Sequence, residues 1–109
     1  MSVENEYDRF LTIIKQTMPQ VETNFLLKIM YLERALPDVS PRVEMHVEYK
    51  EGVNVERKQE IVRQRYGLPV QPVDEGLIAD GQINVGMIEE FCQDSDIKHI
   101  SGQATPASY

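Results

Sequence analysis

Apolar and polar residues alternate from Val43 to Tyr49, with Val43, Met45, Val47 and Tyr49 on one side and Glu44, His46 and Glu48 on the other. A period of two is that of a strand with one buried face. Upstream the period is helical. Tyr7, Phe10, Leu11, Ile14 and Met18 recur at helix spacing, Ser2 can cap this segment, and Glu4 and Glu6 suit the positive end of its dipole. Proline disfavours helical geometry in the residue before it but fits a first turn, so the first helix is expected to break at Met18 and a second to start at Pro19. That second segment, Gln20 to Leu36, carries Val21, Phe25, Ile29, Leu32 and Leu36 on one side, widened by Leu26, Leu27 and Met30. A stripe this wide is either packed between the domain and a partner helix or offered to another molecule.

After the alternating strand, Lys50 to Gly52 make a turn. Asn54 then caps a helix whose inner side carries Val55, Val62 and Tyr66, with Ile61, and which Gly67 ends. Leu68 to Val73 reads as extended, and Pro69 and Pro72 confine it to an edge or an irregular strand. Asp74 to Gly76 and Asp80-Gly81 are turn signals flanking Leu77, Ile78 and Ala79, which suits a hairpin or a bent strand. Asn84 caps a helix with Val85, Ile88 and Phe91. Asp94 to Asp96 ends it before a strand, Ile97 to Ile100, and a tail of small residues, Ser101 to Tyr109. This order predicts an α+β domain over residues 41–109, a ferredoxin-like sandwich with a mainly antiparallel sheet and two helices on one face. Residues 1–40 would form an N-terminal helical extension, one kinked helix or two short ones.

Composition adds bounds. The 109 residues and 41% apolar content suit one core without a metal or disulfide staple. Eighteen acids against eleven bases give a charge of −7, which repels nucleic-acid phosphates and anionic membranes, so neither is an expected partner. The single cysteine forms no internal disulfide, and no stretch has the pattern of an export signal or a membrane span, so the expected address is cytoplasmic.

Candidate chemistry is sparse. His46 and Glu48 share the polar face of the strand, but two ligands without a third make a poor metal site unless a second copy supplies more. Cys92, Asp94, Asp96 and His99 lie close in sequence with no metal-motif spacing, and read as a helix end with turn acids. The adjacent pairs Asp74-Glu75 and Glu89-Glu90 diverge on regular structure and form no glycosidase dyad. Arg57, Lys58, Arg63 and Arg65 form the local basic cluster, expected to pair with acids along a helix face. No catalytic residue, cofactor or metal is assigned.

Residues 43 to 109 resemble the propeptide-inhibitor domain of subtilisin-like serine proteases. The resemblance lies in the spacing of Ile88 and Phe91 on the last helix, the turn at Asp94-Ser95, the pair Ile97 and Ile100 on the final strand, and a tail that ends in an aromatic residue. Ser95 stands where that family usually has proline, and Ser101-Gly102 where acids usually follow the last strand. The resemblance implies a nonenzymatic protein-interaction domain that inhibits or chaperones a protease: the sheet docks on the partner and the extended tail enters its cleft by strand addition. Tyr109 would then fill the primary specificity pocket, with Ser108 and Ala107 behind it. Pro106 removes one backbone donor from such pairing. The partner would be a subtilisin-like protease or another protein, or the chain itself through its N-terminal helices. The alternative is a small-ligand or metal-sensing domain working as an oligomer.

Overall fold

A computed structural model describes residue 9 and residues 12–106. Residues 12–17 are helical (α1) and are followed by α2 (Thr23–Ala35), β1 (Arg42–Tyr49), α3 (Val55–Tyr66), β2 (Val70–Val73), β3 (Gly76–Gln82), α4 (Val85–Phe91) and β4 (Ile97–Thr105). The four strands form one antiparallel sheet in the order β2-β3-β1-β4. The class is therefore α+β, with an open sheet and helices.

Alternation in β1 carries through as expected. Val43, Met45, Val47 and Tyr49 are buried while Arg42, Glu44 and His46 are exposed. Leu77 and Ala79 of β3 and Ile97, Ile100 and Ala104 of β4 extend the buried face, and all pack into one cluster with Phe25, Leu26, Ile29 and Leu32 of α2, Val62 of α3, and Ile88 and Phe91 of α4. The wide apolar stripe of α2 is thus spent on internal packing against β4 and α4, with Leu27 and Met30 half-buried at its margins. Ile14 and Met18 join the same core, whereas Ser2, Tyr7, Phe10 and Leu11 lie outside the described residues.

Side-chain caps set two helix starts. Asn54 accepts from the Arg57 amide at 3.2 Å and Asn84 from the Met87 amide at 2.9 Å, each satisfying a backbone donor that the first turn leaves free. Gly67, left-handed at φ 65°, closes α3.

Several boundaries differ from the sequence reading. Pro19 and Gln20 form a turn, and Val21 and Glu22 are extended rather than helical. The Ile100 amide donates to the Gln20 carbonyl at 2.9 Å and the Glu22 amide to the Ile100 carbonyl at 2.8 Å, so a parallel bridge at Val21 replaces the first helical turn. Asp80-Gly81 is no turn but lies inside β3, with Gly81 opposite Val43; a side chain at Gly81 would press on Leu68 Cδ2 at 2.8 Å. The turn signal there is a packing gap for Leu68. In α3 the inner side holds Gln59, 7% exposed, while Ile61 is 42% exposed and points outward. The strand expected to stop at Ile100 continues to Thr105, because Gly102 and Ala104 pair opposite Met45 and Val43.

Candidate functional site

The sheet face opposite the core is built by strand register. β1 presents Arg42, Glu44, His46 and Glu48. β3 sets Asp80 beside Glu44 and Ile78 beside His46, and β4 sets Gln103 beside Glu44, Ser101 beside His46 and His99 beside Glu48. Both histidines therefore share this face as diagonal neighbours on adjacent strands, a juxtaposition that sequence reasoning missed because it treated His99 with Cys92 and the turn acids. The pairing of positions 46 and 101 brings the two together, and that register is written in neither strand alone.

Electrostatics on this face are local and weak. Glu44 Oε1 lies 3.3 Å from His46 Nε2, Asp80 Oδ1 lies 3.7 Å from Arg42 Nε, and Glu48 Oε1 lies 3.6 Å from Lys98 Nζ, all at exposed side chains. Such pairs are worth roughly 0–1 kcal/mol each. A shallow depression of about 230 Å³ runs between His46, Glu48, Val73, Asp74, His99 and Ser101. Among the described residues no group of three or more His, Cys, Asp or Glu side chains is placed to hold a metal ion.

The other polar centre lies at the far end of β1 and is structural in character. Lys58 Nζ bridges Asp94 Oδ2 at 2.8 Å and Asp96 Oδ2 at 3.0 Å, and Asp94 Oδ1 also accepts from the Asp96 amide at 3.0 Å. The hydrogen bond to Asp94 keeps the Lys58 ammonium charged to a higher pH than usual. Burial, together with the Asp94 and Asp96 carboxylates, pushes the Tyr49 phenol well above its ordinary range. The cavity beside them is small, about 90 Å³, and its lining includes Tyr66 stacked on Phe91 at 4.8 Å between ring centroids.

The sequence cluster of Cys92, Asp94, Asp96 and His99 is thus divided. The acids tie the turn before β4 to α3, His99 faces the open sheet, and Cys92 is a half-buried free thiol whose pKa burial and then Glu89 raise to about 11. The basic cluster divides too: Lys58 meets acids, Arg63 Nη2 donates to the Val70 carbonyl at 3.0 Å, and the Arg65 guanidinium sits 5.7 Å from the centre of the Tyr66 ring. Two linkages had no sequence signal of their own. Gln59 Nε2 donates to the Gly76 carbonyl at 3.0 Å, and Glu33 Oε1 accepts from the Val85 amide at 2.9 Å, tying α2 to the start of α4. The tail residues Ala107, Ser108 and Tyr109 lie outside the described residues, and Thr105, which the sequence reading placed in the tail, is still in the sheet.

No family model, curated protein or solved structure matches the chain. Among the described residues no helix is long and apolar enough to cross a membrane.

Proposed function

We propose that this chain is a nonenzymatic protein-interaction domain that docks a partner on the open face of its sheet. The observation that carries the reading is that face itself: an antiparallel sheet with its helices and core on one side, and Arg42, Glu44, His46, Glu48, His99 and Gln103 uncovered on the other. A ferredoxin-like topology is the finer form of this proposal. It is supported by the run β1-α3-β2-β3-α4-β4, two split strand-helix-strand units, and by β1 and β3 lying between the other two strands. The most specific partner is a subtilisin-like protease, with the sheet face docked and Tyr109, Ser108 and Ala107 entering its cleft.

The extent of β4 shortens that tail and decides the experiment. Ala104 is buried opposite Val43, so deleting it would damage the fold, whereas ending the chain at Pro106 removes only the proposed inserting residues. Inhibition of a subtilisin by the full chain, lost in the chain ending at Pro106 with an unchanged circular dichroism spectrum, is the expected result. No inhibition by the full chain, or equal inhibition by both, removes the protease reading.

A second reading, a small-ligand or metal sensor working as an oligomer, is favoured by one observation: His46, Glu48 and His99 border the same depression. A second copy would have to complete any ion's coordination. Zinc titration followed by calorimetry, on the wild type and His46→Ala, tests it, and absence of saturable binding removes it.

A further inference from the structure

Strand register leaves a gap in the open face of the sheet. Val73, Gly76, Glu48 and His99 stand in one row across the four strands, and Gln71, Ile78, His46 and Ser101 in the next. Gly76 has no side chain, so the first row is interrupted between Val73 and Glu48. The depression of about 230 Å³ lies over this gap, with Val73 and Asp74 on one side and His46, Glu48, His99 and Ser101 on the other. Val47 and Leu77 also border it, but their side chains belong to the core, so by strand alternation they show it backbone.

The walls differ in chemistry. Val73, 39% exposed, is apolar. Asp74 forms no ion pair with any described residue, and Glu48 holds only Lys98, at 3.6 Å between exposed side chains. The imidazoles of His46 and His99 add ring faces that suit a planar cation, and the Ser101 hydroxyl adds an acceptor. Across the whole face the carboxylates of Glu44, Glu48, Asp74 and Asp80 outnumber the cations of Arg42 and Lys98.

We propose that an arginine side chain of the docked partner fills this depression, with its methylenes along Val73 and its guanidinium between the Glu48 and Asp74 carboxylates. Size, charge and shape select that occupant. The volume admits one long side chain and falls below the roughly 300–1,000 Å³ of pockets for drug-sized ligands. The excess of carboxylates calls for a cation. A metal ion needs several ligands converging on one point, and among the described residues no three such side chains are so placed. A guanidinium needs only acceptors spread around its plane, to which it offers five donors. The apolar wall suits a stem of methylenes, which a bare cation lacks. This inference rests on the docking reading for the face that is covered, and it adds the residue type that the partner presents there.

The pocket can be tested without the partner. The blocked peptide acetyl-Ala-Ala-Arg-Ala-Ala-amide is titrated into the isotope-labelled full chain while the backbone amides are followed by NMR. Saturable shifts centred on Glu48, Asp74 and His99 are expected. Citrulline in place of the arginine, and Asp74→Asn in the protein, should each weaken binding at least about five-fold, because each removes a charge-assisted hydrogen bond. Asn serves a turn as well as Asp, so the hairpin keeps its form. Asp80→Asn removes the same charge from the same face, beside Arg42 and outside the depression, and should leave the binding unchanged. Absence of saturable shifts overturns the inference. Equal weakening by Asp74→Asn and Asp80→Asn overturns it too, since that marks diffuse attraction to an acidic face. Neither failure touches the docking reading, which is judged with subtilisin and the full chain.

Discussion

The Gln59 side-chain amide donates to the backbone carbonyl of Gly76 at 3.0 Å, joining the middle of α3 to the first residue of β3 inside the core. A carbonyl has two lone pairs, and here a helix fills the one that strand pairing with Val73 leaves, from a position where an apolar side chain would ordinarily sit. Replacing Gln59 with Leu removes that hydrogen bond and its tie between α3 and β3. The expected cost is about 0.5–1.5 kcal/mol, read as a lower urea midpoint with an unchanged slope. A neutral result would mean that the strand pairing alone satisfies Gly76.

Gly102 is held against β1 so closely that a side chain there would run into the Glu44 carbonyl oxygen and the Met45 Cα, both backbone atoms that cannot swing aside. Gly102→Ala should therefore cost about 1–3 kcal/mol in thermal or urea unfolding, in line with forced overpacking. Gly52, whose side-chain direction is open, provides the comparison: Ala there pays only for its left-handed backbone.

Alkaline pH should unfold the protein earlier than its acidic composition suggests. Tyr49, Tyr66, Lys58 and Cys92 all have folded pKa values above their ordinary ones, the tyrosines and the thiol chiefly by burial and Lys58 by its bond to Asp94. Each holds a proton that the unfolded chain releases, so its contribution is fully present below the unfolded pKa and lost as pH rises through the folded one. The unfolded values begin at 9.0 for the thiol and reach 10.5 for the lysine, so urea midpoints should hold up to about pH 9 and fall beyond it. Tyr49→Phe should flatten that fall; an identical slope would count against the assignment.

The Cys92 thiol, raised from 9.0 to about 11, should be sluggish toward iodoacetamide at neutral pH. Its alkylation rate, measured by mass spectrometry while the fold persists, should keep climbing past pH 9.0 with no plateau. A plateau near 9.0 would show a thiol in open solvent.

A chain beginning at Pro41 loses Phe25, Leu26, Ile29 and Leu32 from the core, along with the Glu33 acceptor for the Val85 amide. Each such apolar side chain is worth roughly 1.5–3 kcal/mol when buried, and whole domains are stable by only about 5–15 kcal/mol. The truncated chain is expected to lose cooperative unfolding. A sharp thermal transition would show that the sheet and its own two helices suffice.

How far the sequence was legible depended on whether a signal was local. β1, the caps at Asn54 and Asn84 and the stop at Gly67 rest on neighbours in sequence, and they fall where periodicity and capping chemistry put them. Gln59 completes the stripe Val55, Gln59, Val62 and Tyr66 at helix spacing, yet its polarity hid it, because only the distant Gly76 explains a buried amide. Gly81 and Gly102 looked like turn or tail residues, whereas each is small to admit something from elsewhere in the chain. The shared face of His46 and His99 required the register between β1 and β4, which no single segment encodes.

The bridge that ties Val21 to Ile100 also bears on how the chain reaches its fold. β1 sits between β3 and β4, and its partner β4 comes last of the four strands, so its pairing joins segments about half the sequence apart. Contacts of such long range slow folding, since the loop must close before the contact rewards it. During synthesis, α2 and β1 leave the ribosome with their apolar faces bare and keep them so until Ile100 has followed. That interval is when the nascent chain most needs a chaperone or a low local concentration of its own kind.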